Sequence, residues 1–271
     1  VNWRDRIGEV SYGAKFVLSD DQQKILRYPN DSYDVGSYYK GEHLNDIWGL
    51  TTIGIAKSQE EMDAHLAKVD QSSVGTNWGV GDIMYADLDG DGKISNGTNK
   101  LGDTGDYRII GNSTPRFKYG ITLDAAWKGF DFSMLLQGVG KHKVYYNNQA
   151  FRFVTVMGQS LNKDITDHAW TPENPYNSKY PRLRNNANSK NNIASDALVF
   201  NASYLRCKNI QLGYTLPSHI SEKFFVENLK IYTSIDNLFT LTDFPGLDPE
   251  IAAGVGYPQL RQYSVGINVT F

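Results

Sequence analysis

The chain has 271 residues, 40% hydrophobic, with 27 Lys and Arg against 30 Asp and Glu and a formal net charge of −3. That balance excludes the basic footprint of a nucleic-acid binder, and the single cysteine, Cys207, excludes an internal disulfide and any cysteine-based metal or redox motif. No apolar run reaches the roughly 18 residues of a membrane-spanning helix, but a β-barrel keeps mean hydropathy low by alternating lipid-facing and lumen-facing residues, so it stays open.

The remaining composition favours strands and turns: 17 Tyr, 12 Phe and 5 Trp stand beside 25 Gly. The first residues read as the end of a strand at Trp3, with a short turn from Arg4 to Gly8. Over 8–19, Val10, Tyr12, Ala14, Phe16 and Leu18 alternate with Glu9, Ser11, Gly13 and Lys15, the period of a half-buried strand. A long connection, 20–115, follows. Glu42 to Lys57 has strand character, and we place it as a hairpin inside that connection, because a further crossing would upset the up-down order. Ser58-Gln-Glu-Glu61 is a capping box, and Met62, Leu66 and Val69 continue at helical spacing, which predicts a short helix near 58–69.

The next strands, near 116–127 and 130–146, form the clearest hairpin. Phe117, Tyr119, Ile121, Leu123, Ala125 and Trp127 lie on one face, Phe130, Phe132, Met134 and Leu136 resume it, and Lys128-Gly129 turns between them. A second long connection, 147–197, holds the Asn-, Ser- and Lys-rich stretch Asn185–Asn192, which reads as a solvated loop tip. Strands near 198–216 and 228–239 are joined by the moderate link Pro217–Asn228. A third long connection, 240–258, leads to a last strand over 259–271, with Tyr263, Val265, Ile267, Val269 and Phe271 on one face. Long connections alternate with short ones, as in a membrane barrel with short periplasmic turns and long outer loops. Trp3 and Trp127 then fall at the short-turn side, where an indole suits the interfacial girdle. The fold class expected is all-β: an antiparallel transmembrane β-barrel segment with long extracellular loops and one short helix.

Three groups of residues carry candidate chemistry. Asp87-x-Asp89-x-Asp91-Gly92-x-Ile94 puts three carboxylates at alternate positions, with a glycine for the sharp turn and the Lys93 carbonyl as a further oxygen, the pattern of a Ca²⁺ loop. The competing reading is a turn whose carboxylates only cap the backbone. Trp78, Tyr85, Trp170, Tyr176 and Tyr180 lie in the long loops, where aromatic faces stack on sugar rings, meet a partner, or simply pack. Arg152, Arg182 and Arg184 either reach a ligand or pair with acids across the wall. No catalytic constellation is visible: the five histidines are scattered without ligand spacing, and no Ser/His/Asp set or carboxylate pair stands out.

The closing residues Ser264, Gly266, Val269 and Phe271 fit the terminal insertion signal of outer-membrane barrels, read by the barrel assembly machinery. Longer phrases extend the likeness: Trp48-Gly-Leu-Thr-Thr-Ile-Gly, Gly81-Asp-Ile-Met-Tyr-Ala-Asp87-Leu-Asp89-Gly-Asp91, Asp106-Tyr-Arg-Ile-Ile-Gly-Asn-Ser-Thr-Pro-Arg, Ala169-Trp-Thr-Pro-Glu-Asn-Pro, Tyr180-Pro-Arg-Leu, Ser234-Ile-Asp-Asn-Leu-Phe-Thr and Gly246-Leu-Asp-Pro-Glu. In this order they resemble the SusC-like (SusC/RagA) family of TonB-dependent outer-membrane transporters across nearly the whole chain. The resemblance implies a barrel of about 22 strands with a plugged lumen, energy from TonB through the N-terminal plug, a SusD-like lipoprotein lid, contact with membrane lipid, and import of oligosaccharides or peptides. It also implies that residues 1–271 are the C-terminal part of the barrel, with plug and earlier strands outside this chain. In that family an acidic residue a little past the Asp-rich loop precedes an arginine. Asp106, before Tyr107-Arg108, holds that place and joins the candidate calcium ligands. The alternative from another class is a secreted, calcium-stabilised β-sandwich that binds carbohydrate. Its apolar rows would be packed together in a dry interior.

Overall fold

The structure, a computed structural model, describes residues 1–145, 154–155, 161–185, 190–251 and 256–271. Seven strands form one antiparallel meander: β1 (Asn2–Ile7), β2 (Val10–Ser19), β3 (Arg116–Trp127), β4 (Phe130–Lys141), β5 (Tyr204–Thr215), β6 (Asn228–Asp236) and β7 (Gln262–Thr270). Each pairs with its neighbours in chain order, and a short segment, Thr240–Thr242, pairs beside the start of β5.

The register explains why this sequence makes a wall. One row crosses all seven strands as Trp3, Ala14, Leu123, Met134, Ile210, Ile235 and Tyr263. The adjacent row crosses them as Arg4, Gly13, Asp124, Ser133, Gln211, Ser234 and Ser264. Successive side chains of a strand point to opposite faces, so the first row belongs to a greasy face and the second to a wet one. The greasy face is uncovered: Trp127 is 49% exposed, Leu212 49% and Val265 80%. A soluble sandwich would bury these rows against a second sheet. Among the described residues no second large sheet lies against them.

Turn chemistry fixes the short-link end. Lys128 and Gly129 both have positive φ (45° and 87°), as a two-residue type I′ hairpin requires. Beside them Trp127 stacks on Phe130 with ring centres 6.4 Å apart, and Phe130 meets Tyr214 at 4.5 Å. This is an aromatic cluster at the level where such rings favour a membrane interface. The first turn differs from the sequence reading. It is Gly8-Glu9, with Gly8 at φ 60°, and Arg4–Ile7 continue β1 in register with Val10–Gly13. Trp3 therefore sits within its strand, edge-on to Tyr12 at 5.1 Å, and does not end it.

The dry core lies elsewhere. Leu50, Ile83, Tyr85, Ile94, Val144, Ile165, Tyr180, Leu198, Ala202 and Phe244 pack as one cluster drawn from all three long connections and the strand ends that root them. Each fully buried large side chain contributes about 1.5–3 kcal/mol, so the loops form a folded body, here called the crown. The helix expected near 58–69 is present as α1 (Gln59–Leu66). Ser58 Oγ accepts the Glu61 N–H at 3.2 Å, Glu61 returns a carboxylate to the Lys57 N–H, and Met62 is buried. Residues 46–55 do not form a hairpin with each other. Asp46–Gly49 pairs with Arg108–Asn112, and Thr52–Ile55 pairs with Ile83–Tyr85. The strands expected over 130–146 and 198–216 break at His142 and at Ala202-Ser203. Above the break Lys143–Tyr145 pairs with Val199–Asn201, putting Val144 and Ala202 into the crown core. The strand expected to 239 stops at Asp236, where Asn237 turns to φ 53°.

Candidate functional site

In the Asp-rich loop the backbone is shaped by its own carboxylates. Asp87 accepts the N–H groups of Gly90 (2.7 Å) and Gly92 (2.9 Å), and both glycines hold φ 79°. Asp106, fully buried, accepts from Leu88 (2.6 Å) and Ser95 (2.8 Å). These bonds bring oxygens of Asp87, Asp89 and Asp106 within 4.8 Å of one another. The Asp91 carboxylate, the fourth expected there, accepts the Lys93 N–H at 2.7 Å and lies outside that group. Lys93 extends the loop into the crown by a bridge to Asp70, and Ile94 N–H donates to the Asp70 carbonyl at 2.8 Å. The Asp91 N–H lowers the Asp89 pKa, but desolvation and the charges of Asp106, Asp91 and Asp87 outweigh it and hold the carboxyl above its usual range. Among the described residues no Lys or Arg forms an ion pair with Asp87, Asp89 or Asp106. The donor set, hard oxygens with uncompensated negative charge, suits a hard divalent cation.

A second polar centre is internal. Asp82, fully buried, receives Arg182 through two bonds of 3.0 Å, Arg184 through another pair, and Asn191 at 3.0 Å. Lys190 Nζ lies 3.2 Å away. Three cations on one carboxylate bind 79–85 to 181–185 and 190–191 across about 100 residues of sequence. Arg182 is thus a strut of the crown. The end of the stretch expected as a solvated tip is buried instead, because Lys190 and Asn191 are drawn in by the Asp82 carboxylate. Arg152 lies outside the described residues.

The loop aromatics divide. Tyr85 is fully buried with its hydroxyl donating to the Lys190 carbonyl at 2.7 Å, and Tyr180, 2% exposed, donates to Asp164. Neither offers a face to a ligand, because both rings fill the crown core. Trp78 is half-buried, its indole N–H shared between the Gln71 and Gly75 carbonyls, with Lys190 over its ring at 4.7 Å. Trp170 packs its ring over Gly81, where a Cβ would collide with it. Only Tyr176 among the five is open, at 75% exposure, with Lys57 6.0 Å from its ring centre.

Sequence reasoning missed the anchor of the third long connection. Arg206, 3% exposed on β5, donates to Asp248 at 2.6 Å and to Thr240 at 2.8 Å, and Lys208 lies 3.0 Å from Glu250. The phrase Gly246-Leu-Asp-Pro-Glu is therefore a clamp onto the wall. On β7, Ser264 and Gly266 face the wet side, Val269 the greasy side, and Phe271 is 91% exposed.

No family model matches the chain. Relatives do. The TonB-dependent receptor P3 of Formosa agariphila is 33% identical over 209 residues, 70% of this chain and 19% of the relative. Receptor P26 of the same organism is 30% identical over 245 residues, 85% of this chain and 23% of the relative. The TonB-dependent receptor SusC of Bacteroides thetaiotaomicron is 26% identical over 193 residues, 69% of this chain and 17% of SusC. The chain belongs to the SusC-like TonB-dependent receptor family. Its fold agrees with two structures of the RagAB peptide importer, in "open-open" and "closed-closed" states. They give TM-scores of 0.67 and 0.68 at 21% and 22% identity, covering 100% of this chain and 28% of the solved chains. The segment thus spans only about a fifth of the length of its curated relatives. As in other TonB-dependent receptors its place is the outer membrane, with the apolar rows toward lipid and the polar rows toward the lumen.

Proposed function

We propose that the full-length protein imports oligosaccharides or peptides across the outer membrane, drawing energy through TonB and working with a SusD-like lipoprotein lid. One observation carries the reading: mostly apolar and mostly polar rows alternate across seven strands, while the dry core found among the described residues lies in the long connections and the strand ends that root them. A transporter wall needs that inversion of inside and outside. The crown then faces the exterior, and Tyr176 is its open aromatic for lid or ligand contact. The terminal strand, with Phe271, is the segment the assembly machinery would engage. No catalytic step is assigned.

Asp87, Asp89 and Asp106 would hold a Ca²⁺ ion that staples the crown, with the Lys93 carbonyl as a further oxygen. Its role there is structural. The secreted sandwich reading finds no support in uncovered apolar rows.

The test is direct. The full-length protein in outer-membrane fractions is expected to migrate differently boiled and unboiled, and a strain lacking it is expected to lose uptake of its nutrient. Identical migration together with undiminished uptake of every oligosaccharide and peptide tested would overturn the reading.

A further inference from the structure

Directly paired residues of a sheet point their side chains to the same face. Tyr204 pairs with Val139 and Arg206 with Gln137, and both partners share the polar face of β4 with Ser133. Tyr204 and Arg206 therefore look into the lumen from the crown end of β5. A bare wall would leave them wet. Instead Arg206 is 3% exposed, Tyr204 7% and Val139 9%, while Leu135, four residues down the same face of β4, is 40% exposed.

The cover belongs to the third long connection. Phe244 is buried in the crown core, and its ring lies where a side chain on Gly246 would stand, so the chain folds back over it. Asp248 then opens a single 3₁₀ turn, Pro249–Ile251, by accepting the Glu250 N–H at 2.9 Å. Three residues of β5 at alternate positions grip that turn. Tyr204 donates its hydroxyl to Glu250, Arg206 donates to Asp248 at 2.6 Å and lies 3.3 Å from Glu250, and Lys208 lies 3.0 Å from Glu250. Two cations meet two anions, so the grip is neutral and complete within this chain. Pro249 and Glu250 line one cavity of about 500 Å³ together with Val139, Gln137 and Gly120 of the lumen face, which puts the turn on the inner side of the wall. The far end of the connection is tied to the same point, with the Gln259 N–H on Asp248 at 2.9 Å.

We propose that 243–251 is a strap folded into the lumen. It narrows the outer mouth of the pore on this side and shields the crown end of β4 and β5, with Arg206 as its latch. The strap goes beyond the import reading and does not depend on what is imported. Its test uses the full-length receptor with Cys207→Ala as background, carrying either Val139→Cys beneath the strap or Leu135→Cys beyond it. Each is treated in detergent with a charged, water-soluble maleimide, and labelling is followed by mass spectrometry. With the latch intact, Val139→Cys is expected to react slowly. Arg206→Met leaves Asp248 without its counter-charge and frees the strap, raising that rate by roughly tenfold or more, while Leu135→Cys keeps its own rate. Heat-modifiable mobility reports folding. Glu250→Gln, which removes the charge held by Lys208, replaces Arg206→Met should that variant fail the mobility control. An unchanged Val139→Cys rate in a folded variant, an equal rise at both positions, or fast labelling of Val139→Cys with the latch intact would each overturn the strap.

Discussion

Tyr232 lies over Gly266, its directly paired partner across the last two strands, and a Cβ on that glycine would collide with the hydroxyl end of the tyrosine ring. The glycine of the terminal signal thus has a local steric reason. Gly266→Val is expected to lower outer-membrane levels of the receptor, with an overpacking cost of about 1–3 kcal/mol. Adding Tyr232→Ala is expected to restore them. Immunoblots of outer-membrane fractions check this; failure of the second substitution to rescue would show that the glycine is needed for something other than room.

Asp82 predicts a loss confined to the crown. Asp82→Ala leaves Arg182, Arg184 and Lys190 gathered without their counter-charge, and breaking a buried pair costs about 3–5 kcal/mol. Hydrogen exchange is expected to rise across 79–85 and 190–198 while the wall strands keep their protection. Equal protection in variant and wild type would contradict the strut assignment.

The Asp-rich loop separates two residues that sequence alone treats alike. Asp89→Ala is expected to weaken calcium binding by roughly tenfold or more, the scale of a lost contact at a metal site. Asp91→Ala, outside the convergent group, changes it far less. Calorimetric titration of calcium into the chelated full-length protein measures both; equal effects would return Asp91 to the ligand set. Chelation is also expected to speed proteolysis of the crown in the wild type and not in Asp89→Ala.

Acid gives a further handle. The Arg116 guanidinium bonded to Asp20, with help from the Phe117 N–H, pulls that carboxyl from its ordinary 3.8 to about 2. The folded state therefore binds this proton less readily than the unfolded one, so the stabilisation is complete above the ordinary value and drains away as pH falls towards about 2. Arg116→Gln is expected to flatten the pH dependence of thermal unfolding between those limits. An unchanged profile would show that the pair contributes nothing measurable.

Much of the wall was legible because lipid on one side and water on the other impose a period of two that no other element shares. The apolar set Phe130, Phe132, Met134 and Leu136 needed no structure to be assigned to one face. Breaks within strands were harder: His142 and Ala202 carry no turn signal, and the kink there arises from crown packing around Val144. The Asp82 centre was illegible for a plainer reason, since its partners lie about 100 positions away and charge in a long loop usually meets water. Asp106 was found through resemblance, and alternate spacing alone does not say which of Asp87, Asp89 and Asp91 turn inward.

The folded heart of this chain is made of its connections, while its regular strands, laced to one another by backbone hydrogen bonds, leave their apolar face to the surrounding bilayer. Two different solvents therefore govern two halves of one polypeptide. Warming or stripping cations should dissolve the outward-facing headpiece first and leave a bare cylinder segment standing, so that the mouth of the pore can be remodelled, residue by residue, without risk to the staves below it.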